Sequence, residues 1–125
     1  MPPLFWTIGS LYGASAVAFG AFGAHGLKKR IADPSRITNW STAAHYQLLH
    51  SGVLLLTTIA APQNKLAAGL FTAGMTMFSG SIYLLVLDPQ RFKALGPVTP
   101  LGGLCLIGGW LALALGKRIP VSRWS

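Results

Sequence analysis

Acidic side chains are almost missing from this chain. Among 125 residues only Asp33 and Asp88 carry a carboxylate, against ten lysines and arginines, for a formal net charge of +8. A zinc site that draws on carboxylates therefore has only these two acids, both near the expected surface. Cysteine is equally scarce: the single Cys105 excludes an internal disulfide framework and a cysteine-based metal centre. Charge of either sign is thin, at 10% of residues where a soluble domain carries about a quarter. A chain this poor in charge and 52% hydrophobic is expected to live in a membrane.

What is present agrees. Four apolar stretches, at about 4–25, 41–61, 66–87 and 98–116, alternate with polar punctuation, and a basic tail occupies 117–125. Each is long enough to cross about 30 Å of hydrocarbon as a helix. The expected fold is all-α: a single domain forming an integral membrane four-helix bundle, with short interfacial helices in the loops after spans 1 and 3. Ala14-Ser15-Ala16 mimics a signal-peptidase site, but no cation precedes it, so the first stretch reads as a retained span. Asp33-Pro34 and Asp88-Pro89 each place a capping carboxylate before a proline, a helix-start signal. From Asp33-Pro34 a short interfacial portion, with Ile37, Trp40, Ser41 and Ala44 on one face, is expected to lead without a break into the second span. Asp88-Pro89 is expected to open a surface helix ending near Gly96. In the run GAFGAHGLKKR, Gly26 reads as the residue that stops the first helix.

The cations sit in clusters beside the apolar runs rather than in a stripe interleaved with polar groups. That pattern fits lipid phosphates and gives no support to a nucleic-acid partner. Lys28, Lys29, Arg30, Arg36, Arg91 and Lys93 flank one side of the expected bundle, and Lys65, Lys117, Arg118 and Arg123 the other. Six against four places the two long loops in the cytoplasm or matrix and the termini across the membrane. The first six are the expected headgroup contacts, with cardiolipin among the lipids they would suit.

Small residues recur at spacings of four and three: Gly9, Gly13, Ala16, Gly20 and Ala24 on span 1, and Cys105, Gly109, Ala112 and Gly116 on span 4. Such stripes let helices approach closely in lipid, within the chain or against a partner. Phe5, Trp6, Trp110 and Trp124 are expected to be exposed.

The polar residues of the spans cluster in the half next to the long loops: His25, His45, Tyr46, Gln47, His50, Ser79, Ser81, Tyr83 and Thr99. The other half has little beyond Thr7, Thr57 and Thr58. This collection reads either as a polar junction that fixes helices against one another or as a ligand pocket near one face, centred on His25, His45, Tyr46, Gln47, His50, Ser79 and Tyr83. His25 is expected level with His45 across the junction of spans 1 and 2. His45 and His50, five apart, stand about 140° around a helix and do not form a two-ligand face. No metal or cofactor is expected, and no catalytic residue: Ser41, Ser79 and Ser81 have no acid to orient a histidine base, and the paired glycines lie in a span without a phosphate-binding lysine.

In order along the chain, Gly20-Ala21-Phe22-Gly23-Ala24-His25-Gly26-Leu27, Trp40 with Thr42-Ala43-Ala44-His45-Tyr46-Gln47-Leu48-Leu49-His50-Ser51, Phe78-Ser79-Gly80-Ser81-Ile82-Tyr83, and Gly96-Pro97-Val98-Thr99-Pro100-Leu101-Gly102-Gly103 with Gly109-Trp110 resemble the small four-span proteins of the transmembrane protein 256-like family, domain of unknown function 423 or UPF0382. The resemblance covers roughly residues 4–116. It implies a four-span membrane fold and no established activity, with bacterial plasma-membrane members and eukaryotic members associated with mitochondria. The Lys28-Lys29-Arg30 run and the Asp33-Pro34-Ser35-Arg36 insertion look most similar to fungal members, which implies the mitochondrial inner membrane before a bacterial plasma membrane. The expected role is a non-enzymatic accessory or assembly subunit of a larger, respiratory complex. Its rival is a minimal transporter or ligand- or lipid-binding protein.

Overall fold

Proline and capping side chains set most of the helix boundaries in the computed structural model, which describes residues 4–120. Helix α1 (Leu4–Phe22) continues through a π-helical turn, Gly23–Leu27, and a last turn, Lys28–Arg30; α2 (Pro34–Ala60), α3 (Lys65–Leu87) and α4 (Val98–Leu115) follow. Among the described residues there is no strand.

The start of α2 is as expected. Asp33 is extended, its carboxylate accepts from the Ser35 backbone N–H at 2.9 Å and the Ser35 hydroxyl at 2.8 Å, and Pro34 takes the first turn. The helix then runs unbroken for 27 residues, about 40 Å and longer than the hydrocarbon is thick. Asn64 caps α3 by accepting from the Ala67 N–H at 3.1 Å.

Two boundaries differ from expectation. Gly26 does not stop α1: no glycine among the described residues has a positive φ, and the helix ends only where Ile31 turns extended. The widened π turn lets the chain continue with Leu27 almost fully buried. After Asp88-Pro89 there is no α-helix, only turns and a 3-10 turn at Lys93–Leu95. That stretch has too few apolar residues to repay helix nucleation with burial. The Asp88 carboxylate caps locally, accepting from the Arg91 N–H at 3.1 Å.

The helices pack serially: α1 on α2, α2 on α3, and α3 most extensively on α4. Buried side chains form two clusters. Val53, Leu54, Phe71, Met75 and Leu106 fill the end near the termini, and Leu27, Trp40, Ala43, Tyr83 and Val86 the end near the long loops. Phe5 packs on the first cluster rather than standing fully exposed; Trp6 and Trp110 are exposed, and Trp124 and Arg123 lie outside the described residues. Large apolar side chains such as Leu11, Leu104 and Leu115 face outward, as lipid-facing surfaces require. Three segments, Leu4–Arg30, Lys65–Leu87 and Lys93–Leu115, are long and apolar enough to cross a membrane. Helix α2 is the more polar one because it carries the groups that fasten its neighbours. The molecule is a helical membrane bundle.

Much of each small-residue stripe is used in packing inside the chain, while Ala24 stays exposed. Gly9 abuts Leu55, Gly13 abuts Ser51, and Gly23 abuts the Trp40 indole. On α4 the stripe is Gly102, Leu106, Gly109 and Gly116, with Gly102 against the Phe78 backbone and Gly109 within 2.7 Å, measured from a Cβ built there, of the Phe71 ring. Cys105 lies half-buried one position off that face.

Candidate functional site

The polar residues of α2 sort by azimuth into three environments. The inward face carries Gln47, which donates from Nε2 to the Tyr12 carbonyl of α1 at 2.8 Å and accepts from the Tyr83 hydroxyl of α3 at 2.8 Å. Ser79 donates to the Ala43 carbonyl at 2.7 Å. Trp40 donates from Nε1 to the Phe19 carbonyl at 2.7 Å. Phe19 stands four residues before Gly23, so the indole serves the carbonyl whose α-helical partner would fall at the first π position. No buried side-chain nitrogen or oxygen among the described residues lacks a partner. The Gln47–Tyr83–Ser79 part of the expected site is therefore a closed, mutually satisfied junction of α1, α2 and α3.

His50, one turn along and about 60° around the helix from Gln47, faces α4. Its Nε2 accepts from the Trp110 indole N–H at 3.0 Å, which leaves Nδ1 to carry the proton and donate to the Tyr46 carbonyl at 2.7 Å. Tyr46, His50 and Phe78 line up beside it, with ring centroids 6.0 Å apart for Tyr46–His50 and 5.0 Å for Tyr46–Phe78. Because α4 leans on α3, a shallow groove remains between α2 and α4, lined by Tyr46, Leu49, His50, Gly103, Ile107 and Trp110.

The third environment is a cleft of about 850 Å³ between the end of α1 and the start of α2. Helix α1 supplies Gly20, Gly23, Ala24 and Lys28; the connector supplies Ile31; α2 supplies Thr38, Ser41, Thr42 and His45. Ser41 thus points into this cleft and is exposed, away from the buried face of Trp40 and Ala44 with which its spacing groups it. His45 lines the cleft, whereas His25 is exposed on the π turn and does not. The two histidines therefore do not share one environment, and the Trp40 indole fastens that helix crossing. The π turn, Gly23–Leu27, accommodates one extra residue, so His25 sits within the widened turn and the residues after it are rotated by about 100° relative to a straight helix.

Among the described residues, no group of three or more histidine, cysteine or acidic side chains could hold a metal ion. Of the expected headgroup cations, Lys28, Lys29, Arg30, Arg91 and Lys93 are exposed. Arg36 is not free: its guanidinium donates from Nε at 3.1 Å, and from Nη2, to the Val86 carbonyl at the end of α3, where a cation also complements the helix dipole. The Ser35 hydroxyl, and after it the Ser35 N–H, hold the Asp33 carboxyl below its usual range.

Four contributors escape a reading of the sequence. Tyr12 pairs with Thr76, and Asn64 reaches the Ala112 carbonyl of α4 at 2.9 Å. Trp110 is legible only as an aromatic on an apolar helix, and nothing in its neighbourhood announces a histidine partner 60 positions away.

Comparison with known proteins agrees with this architecture. Residues 19–103 match the family described as Protein of unknown function (DUF423). A UPF0382 membrane protein of Schizosaccharomyces pombe is 36% identical over 113 residues, covering 86% of this chain and 96% of its own. A UPF0382 membrane protein of Staphylococcus aureus is 40% identical over 116 residues, covering 90% and 93%. One of Bacillus subtilis is 33% identical over 118 residues, covering 90% and 94%. No solved structure matches. With a bundle of apolar helices, the motif-bearing junction at its centre and relatives matched almost end to end, the chain belongs to the UPF0382 (DUF423) family of membrane proteins.

Proposed function

We propose that this is a non-enzymatic membrane protein that acts as an accessory, stabilising or assembly subunit of a larger respiratory complex in the mitochondrial inner membrane, with its long loops in the matrix and its termini opposite. The observation that carries the reading is the groove between α2 and α4. Helices α1, α2 and α3 are fastened on their inner faces by satisfied polar contacts, but α4 is held mainly through α3 and leaves Tyr46, Leu49, Ile107 and Trp110 bordering an open channel. A transmembrane helix of another subunit fits such a channel, with Gly103 at its floor admitting close approach. The excess of cations on the long loops supports the orientation, and the relative in S. pombe supports a eukaryotic setting.

Extraction in mild detergent followed by native electrophoresis is expected to place the protein in a high-mass assembly. Gly103→Leu is expected to release it, because a Cβ at Gly103 meets only the Phe78 ring at 3.7 Å and the side chain would occupy the groove. Migration of the wild type solely as a monomer or small homo-oligomer overturns the reading. The transporter alternative is less well supported, since Gln47, His50, Ser79 and Tyr83 are engaged in contacts that hold helices together.

A further inference from the structure

We infer that the cleft between α1 and α2 is a binding site for one anionic phospholipid, with Lys28 meeting the phosphate and the cleft wall taking the upper part of an acyl chain. Three features lead there. The cleft follows α2 from Pro34 to Tyr46, a rise of about 18 Å, so it begins at the loop end and descends along the bundle. Its α1 wall is Gly20, Gly23 and Ala24, which present no polar atom beyond the backbone and leave a smooth channel. Its mouth holds Lys28, next to Lys29 and Arg30, while the hydroxyls of Thr38 and Ser41 line the α2 edge.

Charge identifies the occupant. The nearest carboxylate, Asp33, is absent from the lining and turns one oxygen toward Ser35, and Lys28 is the one lysine, arginine or acid among the lining residues. Size and polarity then separate the two sources of phosphate. A cleft of about 850 Å³ is near the upper end of small-ligand pockets. A free phosphate fills only a corner of it and leaves Ile31 and Ile37 uncovered. A lipid satisfies both ends at once.

The π turn has a place in this. By inserting one residue it turns the Lys28–Arg30 segment about 100° from where a straight helix would carry it, and Lys28 is the member of the basic triplet that reaches the cleft. The neighbouring Lys29 and Arg30 have the same charge but do not line it. This contrast separates a built site from the general attraction of cations to a membrane surface.

The full-length protein, purified in mild detergent, would be mixed with equimolar dioleoyl phosphatidylglycerol and dioleoyl phosphatidylcholine and its adducts read by native mass spectrometry, with inorganic phosphate in a parallel arm. Wild type is expected to retain the glycerol lipid over the choline lipid by about fivefold, the size of one cation's contribution near a lipid surface, and to retain no inorganic phosphate. Lys28→Gln is expected to abolish that preference, Lys29→Gln to leave most of it, and Ala24→Leu, which narrows the channel at an exposed position, to lower retention of both lipids. Should Ala24→Leu not remain monodisperse, Ser41→Leu obstructs the channel from the other side. Equal retention of the two lipids by wild type, equal loss from Lys28→Gln and Lys29→Gln, unchanged retention in the obstructed variant, or capture of inorganic phosphate in place of lipid would each overturn the assignment.

Discussion

The two helix junctions of this protein are made by different physics. Where α1, α2 and α3 meet, side chains reach across to backbone carbonyls: Trp40 to Phe19, Gln47 to Tyr12, Ser79 to Ala43, Arg36 to Val86. Where α3 meets α4, removal of side chains does most of the work, with Gly102 on the Phe78 backbone, Gly109 on the Phe71 ring and Leu106 on Gly74. Lipid gives apolar helices little reason to associate, so a bundle needs either close contact or hydrogen bonds between helices. This chain uses the first for α4 and adds the second for α2, and the tolerance of each junction to substitution should differ accordingly.

The largest effect is expected at the glycine junction. Gly102→Ala places a methyl against the Phe78 backbone, which no rotamer change relieves, so the helices must separate at a cost of about 3 kcal/mol or more. Thermal unfolding in detergent, followed by size-exclusion recovery after heating, measures it. A Gly102→Ala protein as heat-stable as the wild type would show that α4 is not held by backbone approach.

The polar junction should respond more gently. Gln47→Leu removes the bonds to Tyr12 and Tyr83 and leaves the buried Tyr83 hydroxyl without its partner, for a loss of about 1–2 kcal/mol. The second substitution of a Gln47→Leu, Tyr83→Phe pair should restore part of that loss, because an absent hydroxyl needs no partner. Strict additivity in this cycle would mean that the Gln47–Tyr83 contact does not couple the helices. Asn64→Ala, which removes both the cap on α3 and the bond to Ala112, is expected to cost about 1 kcal/mol and to loosen α4 without affecting α1.

Gly103→Ala sharpens the comparison from below. It adjoins Gly102 but faces the groove, where a Cβ makes only ordinary contact with Phe78, and its effect on stability should stay under about 0.5 kcal/mol. The smallest effect concerns Asp33. Its carboxyl is held below the usual range by the Ser35 hydroxyl and N–H, so the cap adds stability that is present above the unfolded carboxylate range and is lost as pH falls through the lower folded value. Asp33→Asn, which caps without titrating, should flatten the acid limb of a stability-against-pH curve; an unchanged acid limb removes the cap from the account.

Much of the fold was legible in the letters because its signals are local. Apolar length announces helices, Asp33-Pro34 announces the start of α2, and the helical spacing of Gly9, Gly13, Ala16 and Gly20 announces a close-packed face. The site was legible only as a crowd. Gln47, Ser79 and Tyr83 did converge, since they lie at similar depth on adjacent helices. His25 lies outside the cleft that His45 lines, within a widened turn of helix that leaves no periodic signature in small residues.

The sequence by itself determined the medium, the helices and which end of the bundle would carry polar groups, since each depends on composition or on residues a few positions apart. Only the tertiary structure decided that His50 answers Trp110, that Arg36 answers the end of α3, that Lys28 alone of its triplet enters the cleft, and that α4 leans on α3 and leaves a groove. Those outcomes depend on the rotation of each helix about its own axis. That angle is set by packing against neighbours far away in the chain, and one residue added in a π turn is enough to change it.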